Sequence, residues 1–229
     1  QAKLGELEGT IPDKELVSAA HRALAPDEQV LGSYRASQLL THAFLHVGVL
    51  HLAGNLLFLM VLGTRVNALI GNVATAVLYP ALAVAGGLGY LWSTSDQPLH
   101  PLLGASGAIM GLAGMYLMLF PANKVRMAAW ARISIFTGLS LRLFAVRGFW
   151  VVAFYIGFDV FFTIMGVQDG TAHWAHLGGF IAGMFVATIL LIGRLVNARG
   201  GDLFSIALGR LAWAIVGRPD VDRKALLSG

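Results

Sequence analysis

Four polar residues stand in runs that are otherwise apolar. His51 and Asn55 lie in VGVLHLAGNLLFL, Ser106 in Gly104-Ala105-Ser106-Gly107, and His176 in Ala175-His176-Leu177-Gly178-Gly179. Polar groups in such surroundings are costly, so each needs a reason. A serine hydroxyl becomes a good nucleophile when a neutral imidazole takes its proton, which is the work Ser106 and His176 would do together. His51 and Asn55 are spaced i, i+4, hence on one face of one helix. With the Ser106 backbone N–H, their side-chain N–H groups form a candidate set of oxyanion donors. Zero cysteines exclude thiolate chemistry and disulfides. His42 and His46 (i, i+4) and His173 and His176 (i, i+3) also invite a metal reading. No HExxH is present, and the carboxylate near them in sequence is Asp169. His42, His46 and His173 are read as hydrogen-bonding structural histidines, with no metal.

The elements that must position these groups are set by composition. Of 229 residues, 57% are hydrophobic and 12% charged, about half the charged share usual in soluble domains. The mean hydropathy is +0.72. No soluble domain of this size has interior enough for so much apolar surface. The expectation is an all-α, polytopic transmembrane helix bundle with a single core. A span needs about 20 apolar residues. Five candidates meet or approach this: about 47–66, 73–92 (with Pro80 as a possible kink), 104–120, 149–166 and 174–193. Residues 125–146 carry Arg126, Arg132 and Arg142, and residues 203–216 are short and hold Arg210. Both are read as amphipathic helices on the membrane surface. Three segments follow: 1–45, extracytoplasmic or embedded in one leaflet; 46–194, the transmembrane core; and 195–229, a tail with a short amphipathic helix. The first residue is Gln, as expected of a fragment, and no signal peptide is visible.

Loop charge gives the orientation. Lys124, Arg126, Arg132, Arg142 and Arg147 follow the third span. Arg194, Arg199, Arg210, Arg218, Arg223 and Lys224 follow the fifth, and Arg65 ends the first. The loops 93–103 and 167–173 have no Lys or Arg and contain Asp96 and Asp169. The C-terminus is therefore expected in the cytoplasm. Ser106 and His176 then share a depth near the extracytoplasmic ends of their spans, and the site opens to that side. The net charge of +4 belongs to these membrane-flanking loops, so no nucleic acid is expected as partner. Gly107/Gly111 and Gly179/Gly183 are small-xxx-small faces that let membrane helices approach closely. Packing along them would bring Ser106 and His176 together. Gly86, Gly87 and Gly89 read as further close-packing positions.

These motifs, in this order and spacing, resemble the rhomboid intramembrane serine proteases. The resemblance runs from about Arg35 to Gly193 and rests on Tyr34–Leu59, GASG at 104–107 and AHLGGFIAG at 175–183. It implies a Ser106–His176 dyad, with oxyanion donors at His51, Asn55 and the Ser106 amide. Gly104, Gly107 and His46 are supporting residues, and His42 matches a second histidine ahead of the first conserved helix. It also implies hydrolysis of peptide bonds in or near transmembrane helices of other proteins, in a lipid bilayer, without cofactor, metal or nucleotide. The implied fold is a six-helix bundle with a leaflet-embedded loop. Five spans are visible here, so a sixth, N-terminal one is expected to be missing. Asn67 stands where rhomboids often have Glu, and Met110 where some place a Tyr that stacks on the catalytic histidine.

Asp159, in the fourth span, and Asp169 are each conceivable third members of a triad, but the resemblance favours a dyad. The loop 167–173 suits a cap over the site. Two other functions are weighed: a catalytically silent rhomboid-like protein that binds membrane proteins, and a solute or metal transporter. The transporter reading lacks the paired, interrupted spans of two related halves.

Overall fold

The computed structural model describes residues 35–93, 102–134, 138–166 and 172–219, with the backbone alone for residues 127–143. Residues 1–34, Asp96, Asp169 with the rest of the 167–171 loop, and Arg223 and Lys224 lie outside the described residues.

A one-turn helix α1 (Gln38–Thr41) tightens into a 3₁₀ turn (His42–Phe44). Helix α2 (Val49–Ile70) follows, with a π turn at Leu59–Gly63. Gly71, at φ +86°, ends it in a conformation that a side chain would strain. Across that turn Asn67 Nδ2 donates to Asn72 Oδ1 at 2.9 Å. The amide makes its own contact where the resemblance led us to expect Glu. Helix α3 (Asn72–Ser93) continues through Pro80. Next come α4 (Ser106–Leu119), β1 (Lys124–Ser134), β2 (Gly138–Arg147), α5 (Gly148–Met165) and α6 (His173–Ile192). The described chain finishes with α7 (Leu203–Leu208), a 3₁₀ turn (Gly209–Ala212) and α8 (Trp213–Val216).

Helices α2, α3, α5 and α6 are long and apolar enough to cross a membrane. They turn large apolar side chains outward, among them Leu50, Phe154, Ile181 and Phe185, as a surface solvated by lipid requires. The third expected span is different. Helix α4 has 14 residues and reaches about 21 Å, short of a bilayer core. All of it except Ser106 and Leu117 is buried. It is the axis of the bundle, wrapped by its neighbours, so its ends need not reach lipid headgroups.

Apolar burial between helices gains little when the alternative solvent is lipid, so close packing has to hold the bundle. The glycines provide it. A Cβ on Gly179 would collide with the Gly107 carbonyl oxygen, and one on Gly183 with that of Gly111. A Cβ on Gly86 would stand 3.1 Å from Gly107 Cα, and one on Gly89 3.0 Å from Gly178 Cα. Helices α3, α4 and α6 therefore meet along one another's glycine faces, as the small-residue spacing predicts. Leu62, Leu82, Leu112, Met115, Tyr116 and Leu191 fill the space beside them.

One reading is corrected. Residues 125–146 do not form an amphipathic helix. They lie in an antiparallel hairpin pairing Lys124 with Arg147 and Ala129 with Arg142. Arg126 and Arg132 are six apart, an offset that suits a strand's period of two and sets them about 240° apart around a helix. Residues 203–216 are helical, as expected, with an interruption in the middle. Gly209, at φ +58°, separates α7 from the 3₁₀ turn and α8. Asp202 starts the segment by accepting the Ser205 N–H at 2.8 Å.

Candidate active site

Ser106 is the first residue of α4, so its backbone N–H belongs to the turn that has no intrahelical acceptor. The backbone just before it is fixed tightly. Gly104 has φ +118°, which a side chain would strain. Its N–H donates to His42 O at 2.9 Å. His42 is buried, with Nδ1 3.2 Å from Gly104 O and Nε2 3.3 Å from Ala83 O. A neutral ring has one N–H, so it donates to one of these carbonyls at a time. His42 thereby ties the loop entering α4 to α3, the structural role expected of it.

The same stretch of backbone lies against the candidate oxyanion donors. A Cβ on Gly104 would stand 2.7 Å from His51 Cε1, 3.0 Å from His51 Nε2 and 3.6 Å from Asn55 Nδ2. Asn55 is 8% exposed, and its Nδ2 has no hydrogen-bond partner among the described residues. A buried amide left this way is costly. The amide lies against Gly104, two residues before Ser106. His46 packs edge-on against His51, ring centres 5.3 Å apart.

His176 lies in the first turn of α6. A Cβ on Gly107 would be 3.4 Å from Ala175 O, so the residue after Ser106 abuts the residue before His176. Among the described residues no hydrogen bond joins Ser106 Oγ to His176. Such bonds are often long before substrate binds. Met110 is buried within α4.

The residue that sequence reasoning undervalued is Asp159. From α5 it accepts His173 Nδ1 at 2.7 Å, and His176 Nδ1 at 3.0 Å (Oδ1) and 3.1 Å (Oδ2). The His173 ring also packs on Phe162, centres 5.5 Å apart. Asp159 is 14 residues before His173 and 17 before His176. The signal available was its charge inside an otherwise apolar span. The three ligand atoms lie within 4.8 Å of one another, and these residue types also bind zinc. Separations of 2.7–3.1 Å are those of hydrogen bonds. Neighbours around a tetrahedral ion with bonds of 2.0–2.1 Å stand roughly 3.3 Å apart.

Comparison with known proteins identifies the family. The Rhomboid domain matches residues 33–193. The chain is 29% identical over 171 residues to Rhomboid protease GluP of Bacillus subtilis, covering 75% of this chain and 29% of that protein. It is 31% identical over 157 residues to RHOMBOID-like protein 4 of Arabidopsis thaliana (68% and 34%). It is 29% identical over 153 residues to Rhomboid-related protein 2 of Mus musculus (66% and 47%). It thus spans less than half the length of each of these relatives. With the domain match covering most of its length and four helices fit to cross a bilayer, the chain belongs to the rhomboid family of multi-pass membrane proteins.

Proposed function

We propose that the protein is an intramembrane serine endopeptidase, with Ser106 as nucleophile and His176 as general base. The observation that carries this reading is the start of α4. It is bracketed by the His51 ring and the orphaned Asn55 amide on one side and by the His176 turn of α6 on the other. Ser106 Oγ attacks the scissile carbonyl while its proton passes to His176. The oxyanion forms against Asn55, His51 and the Ser106 N–H. His176 then protonates the leaving amine, and water attacks the acyl-enzyme by the same route in reverse.

The substrates are transmembrane helices of other proteins. A helix in lipid keeps its carbonyls in its own hydrogen bonds, so the site receives a locally unwound segment, and helix-breaking residues favour cleavage. Loop charge supports a cytoplasmic C-terminus and a site opening to the extracytoplasmic side. The chemistry asks for no cofactor.

The test is labelling of the purified protein with a fluorophosphonate, followed by peptide mass spectrometry. An adduct on Ser106 that His176→Ala abolishes is the expected result. A folded sample that takes no label supports the alternative, a silent rhomboid-like protein that binds membrane proteins.

A further inference from the structure

Asp159 has no part in a Ser–His dyad, yet it touches the proposed base. Its side chain is 9% exposed, against 8% for His173 and 15% for His176. A carboxylate in an apolar bundle is expensive unless its oxygens are satisfied. Here both satisfying groups come from α6, where the i, i+3 spacing sets His173 and His176 on one face, and the carboxylate comes from α5.

We infer that Asp159 is the positioning residue for His176, and that His173 holds the carboxylate in place for that task. This rests on the proposed function. An ionised carboxylate only accepts hydrogen bonds, so both Nδ1 atoms must be the donors. His176 is thereby held as the Nδ1–H tautomer, with its Nε2 lone pair free to accept the Ser106 proton. That proton stays on His176 Nε2 until the leaving amine takes it, and none passes to Asp159. The carboxylate orients the ring and stabilises the imidazolium formed during the reaction. His173 donates to the same Oδ1 at 2.7 Å, the shorter of the two contacts to that oxygen, and its ring is braced by Phe162. The carboxylate therefore stays in place while the His176 ring turns through its cycle.

A trio that merely ties α5 to α6 has the same geometry, so the test needs a readout that a structural tie would leave alone. Nitrogen-15 spectra of the histidine-labelled full chain, with His176 assigned by difference against His176→Gln, report its tautomer. The wild type should show Nδ1–H. Asp159→Leu puts an apolar side chain in place of the carboxylate and removes the acceptor. It should move His176 toward Nε2–H, slow fluorophosphonate labelling of Ser106 by about 10²- to 10⁴-fold, and lower kcat on a transmembrane substrate with KM held. His173→Leu should leave the His176 tautomer in place and cost less. Should Asp159→Leu fail to fold, Asp159→Asn serves, since its neutral amide is a weaker acceptor than a carboxylate and its NH2 group can only donate. It should give a mixed tautomer and an intermediate rate. A folded Asp159 variant with the wild-type tautomer and a labelling rate within about twofold overturns the inference. Absence of labelling in the wild type strikes at the proposed function instead, and the tautomer comparison still decides what Asp159 does to His176.

Discussion

Gly111 and Gly183 meet backbone to backbone, so closely that a Cβ on Gly183 would overlap the Gly111 carbonyl oxygen. Together with Gly107 and Gly179 they set how near α4 and α6 approach, and hence the separation of Ser106 and His176.

Enlarging that contact should undo the bundle. A carbonyl cannot move aside as a flexible side chain can, so Gly183→Val is expected to cost about 3 kcal/mol or more. Reversible unfolding in mixed micelles measures this. Stability equal to that of the wild type would show that α4 and α6 are not packed as described.

Gly104→Ala should separate activity from stability. The substitution strains a φ of +118° and pushes on His51, for about 1–3 kcal/mol. The displaced groups are the proposed oxyanion donors. Turnover of a transmembrane substrate should therefore fall further than the midpoint of unfolding implies.

Asn55→Ala gives the sharpest contrast. It should lower kcat by about 10²- to 10³-fold with KM little changed. Because the Asn55 amide has no partner in the resting protein, its removal should leave stability level or raise it. A large loss of stability would mean that the amide serves the fold instead.

His42→Leu should behave in the opposite manner. It deletes the ring contacts to Gly104 O and Ala83 O, leaving a buried carbonyl unpaired at about 1–3 kcal/mol. Unfolding measurements should register this loss, and turnover should fall with it because Gly104 loosens beside His51.

Much of the site is written in short-range spacing. His51 and Asn55 one turn apart, Ser106 in a small-residue motif and the paired glycines each carry their meaning within four residues. The glycine contacts between α3, α4 and α6 stand where that spacing puts them. What the sequence hid is long-range or set by neighbours. Asp159 joins His173 and His176 only once α5 packs on α6. Helix α4 could be shorter than a bilayer because other helices enclose it, which no local pattern reveals. The stretch from Lys124 to Arg147 pairs with itself as strands, where counting arginines in an apolar run suggested a surface helix.

The central claim is that Ser106 attacks and His176 takes its proton. Cleavage of a model transmembrane substrate by the protein reconstituted in lipid tests it most directly. The wild type should cut within or beside the substrate's membrane segment, and Ser106→Ala and His176→Ala should each abolish cutting while remaining folded. Cleavage that persists in folded Ser106→Ala would contradict the account.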